Sequence, residues 1–241
     1  MTDQPQPETT SAAKVSTTVD RAGALLKLLS RHPEGLSISV LTRELGTQRA
    51  PLYRILEALS GHQLVRRDDR KRYLLGVGTL ELAHAFSAQF GGGVEPVLRQ
   101  LADETGLTAS LVAADRDDTL TTVMSITPST VAEHVFTPPG FRHPEGPLAS
   151  RLALLASRSP ENGEWPEVEV ARQRGYATAD RAGAPVPYAV AAAVPGTAAG
   201  DSALVLTLLS LNDFDPPSAG QALLRALPMV SLALGGTGTA R

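Results

Sequence analysis

The sequence predicts an α+β protein: an N-terminal winged helix-turn-helix joined by a linker helix to a mixed α/β domain. Three observations predict it. Apolar residues recur at helical spacing three times within residues 19–59, and a short basic hairpin follows. Beyond residue 94, stretches of helical and strand period are interspersed. Charge is also divided unevenly. From Lys14 to Leu75, twelve Lys and Arg stand against six Asp and Glu; from Gly76 to Arg241, ten stand against seventeen. The net charge of −3 over 241 residues hides this split. A basic front suits a polyanion and an acidic rear suits something else, although solvated surfaces can cluster charge by chance.

Residues 1–16 are polar, rich in Pro, Ser and Thr, and without period, so a flexible tail is expected there. Residues 17–77 hold the expected winged helix-turn-helix. Val19, Ala22, Leu25, Leu26 and Leu29 form one apolar stripe, with Asp20 placed to suit a helix N-terminus. The run RHPEG breaks it. Ser39 is expected to cap a second short helix containing Val40, Leu41 and Leu45, which Gly46 stops. A third helix over 48–60 carries Leu52, Ile55, Leu56 and Leu59 on one face, with Pro51 tolerated in its first turn. Strands Leu64–Arg67 and Arg72–Leu75 then flank a polar turn.

The linker, 78–93, is read as a helix from Thr79 to Phe86 ending at the glycine run 91–93. The second domain, 94–236, opens with a helix at Glu95–Glu104 and a hairpin turning at Arg116–Asp118. Helices at Gly146–Ser157 and Glu167–Gln173, strands at Ala189–Val194 and Ala203–Leu211, and a helix at Ser218–Leu234 complete it. Residues 237–241 are read as a second flexible tail.

The polar side of the third helix carries the functional signal. Gln48 can pair with adenine and Arg49 with guanine, each bidentate match contributing about 1–3 kcal/mol of discrimination. Tyr53 and Arg54 suit phosphate contacts that set register. A solvated helix face is the bland alternative. Arg66, Arg67, Arg70, Lys71 and Arg72, crowded into seven positions of the hairpin, favour phosphate binding; Asp68 and Asp69 suit the turn itself.

The run VDRAGALLKLLSRHPEGLSISVLTRELGTQRAPLYRILEALSGHQLVRRDDRKRYLLG resembles the DNA-binding domain of the IclR family of bacterial transcription regulators. The resemblance rests on Val19, Arg21, Ala22, Leu25 and Leu26, on Tyr53, Arg54, Ile55, Leu56 and Leu59, and on Arg72 to Gly76. Ala50 and Pro51 stand where the family often has Ser-Thr, which removes two hydroxyl contacts. LRQLADETGLTASLV, GFRHPEGPLASRLALLA and RQRGYATAD extend the resemblance over nearly the whole chain. It implies a GAF-like C-terminal domain that binds a small effector such as an organic or aromatic acid. It also implies a homodimer or tetramer, and an operator in double-stranded DNA that is expected to be palindromic.

The sensor half departs from the family pattern. Gly146 stands at the family's histidine, Arg151 at its glycine and Leu152 at its lysine; Arg181, Ala182 and Val186 replace a Glu-Glu pair and a later glycine. Two readings stay open: a retuned pocket in which Arg142, His143 and Arg151 hold a carboxylate, or a ligand-free dimerisation platform. Met124, Ser125, His134 and Phe136, on expected strands, and Tyr188 are further candidates for lining a pocket, with outward-facing strand residues the equal alternative.

Other chemistries find little support. The chain has no cysteine, so disulfides and thiolate metal sites are excluded. No two of His32, His62, His84, His134 and His143 have metal-ligand spacing, and no dinucleotide loop, phosphate loop or nucleophile elbow is present. No cofactor and no enzymatic activity are expected; an enzyme acting on a small acid, with an accessory winged helix, is the competing class. No apolar run reaches the ~18 residues of a membrane span, and the polar N-terminus is not expected to be a signal peptide. A cytoplasmic location is expected.

Overall fold

The computed structural model describes residues 17–115, 117–180, 188–197 and 203–235. It divides into two compact units, Met1–Phe86 and Ser87–Arg241. In the first, α1 (Thr17–Leu29), α2 (Ile38–Glu44) and α3 (Arg49–Gly61) precede a two-stranded wing, β1 (Val65–Arg67) and β2 (Tyr73–Leu75). Leu25, Leu29, Leu41, Leu52, Ile55, Leu56, Val65 and Tyr73 are all buried in one core. Val19, expected in that stripe, is 70% exposed, because the core begins only a turn later.

Ser37, not Ser39, caps α2. Its extended backbone aims the hydroxyl at the Val40 amide, and Ser39 bonds the Ser37 hydroxyl instead. Gly46 takes the expected left-handed conformation just past the helix. The wing is fastened twice. Leu36 and Tyr73 exchange backbone hydrogen bonds of 2.9 and 2.8 Å, and the amides of Gly76 and Gly78 donate to Leu64 and Gln63. Gly76 lies so close that an added Cβ would sit 2.0 Å from the Gln63 oxygen, which accounts for glycine at the wing's end. α4 (Gly78–Ala88) follows, with Leu80, Leu82 and Phe86 exposed.

In the second unit, α5 (Gly91–Thr105) leads into the hairpin β3 (Thr108–Ala114) and β4 (Leu120–Ile126). The glycine run expected to break the chain is instead the first turn of α5. A Cβ on Gly93 would stand 3.1 Å from that of Ala233, so small residues allow this close approach. α6 (Ala149–Ala156) starts three residues later than expected, because Gly146 sits at φ 112° and the chain turns helical only after Leu148. Next come α7 (Pro166–Arg174), β5 (Ala177–Asp180), β6 (Tyr188–Ala193), β7 (Ala203–Ser210) and α8 (Pro216–Ala233). Strand β5 is absent from the sequence reading. Residues 127–148 are irregular apart from one bridge between Thr121 and Arg142, so His134 and Phe136 do not lie on the strands expected for them.

The five strands run in the order β4-β3-β7-β6-β5, each antiparallel to its neighbours. Period-2 alternation gives the sheet two unlike faces. Leu111, Val190, Leu204, Leu206 and Leu208 pack with α5 and α8. Val112, Ala114, Ala177, Ala191 and Val205 pack with α6 and α7, and alanine there allows close helix approach. The rest of that second face bears hydroxyls. Thr108 donates to the Val135 carbonyl at 2.5 Å, Ser110 lies 2.9 Å from Ser125 Oγ, and Thr207 donates to the Ser110 carbonyl. Residues of the 127–148 segment cover this part.

Tyr176, in the motif RGYATAD, is buried with its ring over Gly220 of α8; a Cβ there would fall 2.5 Å from the ring. Gly220→Ala is therefore expected to destabilise the second unit by about 1–3 kcal/mol, as overpacked cores do, and chemical denaturation will measure it. An unchanged midpoint would mean that the ring moves aside freely.

Candidate nucleic-acid interface and ligand cavity

On α3, Gln48, Arg49, Tyr53 and Arg54 are all exposed: Tyr53 and Arg54 lie off the buried stripe of Leu52, Ile55 and Leu56, and Gln48 and Arg49 stand at the helix start, a turn before that stripe begins. Gln48 is the N-cap residue but makes no side-chain capping bond. None of the four side chains has a hydrogen bond or ion pair among the described residues, so their donors and acceptors are free for a partner.

The wing sorts its cations into two groups. Arg72 is braced internally: its backbone amide and Nε donate to the Asp68 carboxylate at 2.7 and 3.0 Å. Those bonds, the backbone one first, hold the Asp68 carboxyl below its ordinary pKa. Arg67 lies 5.4 Å over the Tyr73 ring and reaches the Lys71 carbonyl. Arg66, Arg70 and Lys71 are exposed, and their side chains have no hydrogen bond or ion pair among the described residues. Lys71 takes φ 61° at the wing tip, where its amide donates to the Asp68 carbonyl. The sequence did not distinguish bracing arginines from free ones, since the Asp68–Arg72 contact needs the turn to be formed.

In the second unit, a cavity of about 710 Å³ opens between the β3–β4 turn, residues 142–146, α6 and Trp165. It is lined by Asp117, Asp118, Thr119, Arg142, His143, Glu145, Gly146, Arg151 and Trp165. Three sequence-predicted residues, Arg142, His143 and Arg151, thus meet there. The others do not. Met124 packs on the α5/α8 side of the sheet, Ser125 bonds Ser110 on the opposite side, and the Tyr188 ring meets Phe214 edge-on at 6.5 Å. Exposed His134 approaches only the Val131 carbonyl, and Phe136 is 56% exposed. Met124 and Ser125 are adjacent on β4 and so face opposite sides of the sheet; beyond them, Leu111 pairs with Met124 but Val112 with Thr122, leaving Val123 as the extra residue of a bulge. Arg181, Ala182 and Val186 lie outside the described residues.

Asp118, which sequence reasoning treated only as a turn residue, organises the cavity wall. Its backbone is left-handed at φ 57°, and its carbonyl accepts from Arg151 at 3.0 Å. Its carboxylate receives both terminal nitrogens of Arg158, at 2.9 and 2.6 Å, and this fork lowers its pKa. Arg151 Nε is buried and has no hydrogen-bond partner among the described residues. His143 lies 3.0 Å from Thr122 Oγ1, with the Phe141 ring edge-on at 5.4 Å. Burial, and then the nearby Arg151 charge, press the His143 pKa below that of a free imidazole. Among the described residues no cluster of His, Asp or Glu could hold a metal, and no helix is long and apolar enough to cross a membrane.

Residues 18–69 match the IclR helix-turn-helix domain. A comparison with curated protein sequences gives no match. Among solved structures, the chain is similar to an IclR transcriptional regulator from Alicyclobacillus acidocaldarius, with a TM-score of 0.75 and 23% identity over 91% of this chain and 98% of that one. HmgR from Pseudomonas aeruginosa gives a TM-score of 0.68 at 22% identity, over 90% and 98%. An IclR homologue from Microbacterium hydrocarbonoxydans, complexed with 4-hydroxybenzoate, gives 0.72 at 14% identity, over 90% and 99%. These identities carry the fold, and the domain match carries the DNA-binding half. The chain thus carries an IclR helix-turn-helix domain at its front, and its fold throughout is that of solved IclR regulators.

Proposed function

We propose that this regulator binds a palindromic operator as a homodimer, reads it with α3, and responds to a small acid held in the cavity beside Arg151. The observation that carries the DNA half is the exposed set Gln48 and Arg49 at the start of α3 and Tyr53 and Arg54 off its buried stripe, none with a side-chain partner among the described residues. Gln48 and Arg49, at the start of the helix, suit base edges; Tyr53, Arg54 and the free wing cations Arg66, Arg70 and Lys71 suit phosphates. Exposed Leu80, Leu82 and Phe86 on α4 support a self-associating surface. For the effector, the bound acid of the Microbacterium homologue and the Arg142–His143–Arg151 grouping point to the same ligand chemistry. Such a ligand alters DNA affinity only by favouring one of two arrangements of the protein.

Against a cognate operator, Arg49→Ala is expected to relax discrimination at one base position by about 1–3 kcal/mol. Arg70→Ala should instead weaken binding to all sequences alike and flatten its salt dependence by about one phosphate contact. Binding titrations at several salt concentrations measure both. Parental behaviour in both variants would exclude this docking. Leu80→Asp is expected to convert dimer to monomer in sedimentation velocity; a variant that stays dimeric would place the interface elsewhere.

His143 adds a pH dependence. Its folded pKa lies below the unfolded value of about 6.5, so as pH falls the unfolded chain takes up the proton first. The stability from keeping it neutral is complete above about pH 6.5 and is lost progressively below it. The paired carboxylates titrate in a lower window. Stability should therefore fall as pH drops below about 6.5, and His143→Asn should reduce that fall. Parallel curves for the two proteins would show that His143 does not titrate differently on folding.

A further inference from the structure

Resting on the reading of the cavity as the effector site, we infer that its ligand is zwitterionic, a free amino acid or a close analogue, not a simple acid. The charges around the opening support this. Asp118 is already neutralised within the protein by the two-pronged contact from Arg158. Arg151 donates to a carbonyl, an uncharged acceptor, and feels the Asp118 carboxylate only through space, because Arg158 already occupies that carboxylate. Arg142 is exposed and has no hydrogen bond or ion pair among the described residues, and the same holds for Glu145. The Asp117 carboxylate accepts from the backbone amide and side chain of Thr119 and lies within reach of the Arg142 charge. Among the described residues, the opening therefore presents two guanidiniums, Arg142 and Arg151, and two carboxylates, Asp117 and Glu145, with no ion pair closed between them, beside the indole of Trp165.

A plain monoanion would satisfy the arginines but meet Asp117 and Glu145 with like charge. A cation would meet the reverse problem. A ligand bearing both groups satisfies each set: its carboxylate takes the planar donors of the arginines, and its ammonium takes the acidic side chains. Selection against the deaminated analogue then follows from the repulsive carboxylates as much as from the attractive arginines. Trp165, 38% exposed at the start of α7, offers an apolar surface for the rest of the ligand.

The test uses the full-length chain with the twenty common L-amino acids, each beside the matched carboxylic acid that lacks the amino group. Thermal shift screens them, and calorimetry then gives Kd. At least one amino acid should raise the melting temperature and bind at least ~10-fold tighter than its deaminated partner. Glu145→Gln, at an exposed side chain, should shrink that preference several-fold (~3–10), weakening the amino acid and tightening the plain acid whose like-charge repulsion it removes. Arg151→Ala should weaken both compounds. If the deaminated acid binds as tightly as the amino acid and Arg151→Ala abolishes it, the zwitterion inference is overturned while the acid-sensing reading stands. If no compound of either series binds at millimolar concentration, both fall. A preference for the amino form that Glu145→Gln and Asp117→Asn together leave unchanged also overturns the inference, because the ammonium would then be read elsewhere.

Discussion

Burial of Leu52, Ile55 and Leu56 on one side of α3 leaves Tyr53 and Arg54 off that side, a geometric consequence of 3.6 residues per turn, while Gln48 and Arg49 are exposed because they stand at the helix start, a turn before the first buried residue. The DNA-binding half depends on this placement. The core beneath is small, nine buried residues among those described, so the helix's seat must be held by more than apolar contact. The wing provides this. Leu36 and Tyr73 bond across the unit, and the Gly76 and Gly78 amides donate to the chain just beyond α3. At Gly76 any side chain would collide with the Gln63 carbonyl. The helix that presents the polar side chains and the hairpin that carries the cations are thereby fixed to each other.

The sheet of the second unit obeys the same one-sided logic with a period of two. Its leucine-rich face is closed by α5 and α8. The reverse face is divided between alanines and valines under α6 and α7 and hydroxyls under residues 127–148. The irregular covering segment makes its hold on the sheet through hydrogen bonds, among them Thr108 to the Val135 carbonyl and His143 to Thr122. Net hydrogen-bond contributions are only about 0.5–1.5 kcal/mol each, whereas a buried leucine contributes about 1.5–3. This cover is the part of the unit where the least apolar burial must be undone for a rearrangement. It is also the part that delivers Arg142 and His143 to the cavity.

The sequence made plain those features that burial writes periodically. The stripes of α1 and α3, the wing, and the long runs of β3 and β7 all carry strong apolar patterns. What it concealed has identifiable causes. Strand β5 is built from Ala177, Thr178, Ala179 and Asp180, residues of mostly low β-propensity that serve because they admit close helices. Ser37 and Ser39 are chemically equal as caps, and only backbone direction decides between them. The extra residue Val123 has no signature in the sequence, and it shifts the register of β4 between Met124 and Thr122. The contact of Arg151 with the Asp118 carbonyl spans 33 residues and has no local signature at all.

The departures from the family pattern become coherent around that contact. Arg151 stands where the IclR pattern has glycine, and such a side chain needs both room and an acceptor. Gly146, standing at the family's histidine, is backbone-only at φ 112° and leaves space at the cavity mouth. The acceptor is the Asp118 carbonyl, exposed because that residue adopts a left-handed conformation. Such a conformation is strained for a residue with a Cβ, and the Arg158 fork on its carboxylate helps hold it. The three positions thus form one unit: Arg158 fixes Asp118, and Asp118 fixes Arg151. Replacing Arg158 would act on the cavity through Arg151 without touching a ligand, so the turn between β3 and β4 and the two ends of α6 are tied into the wall of one site.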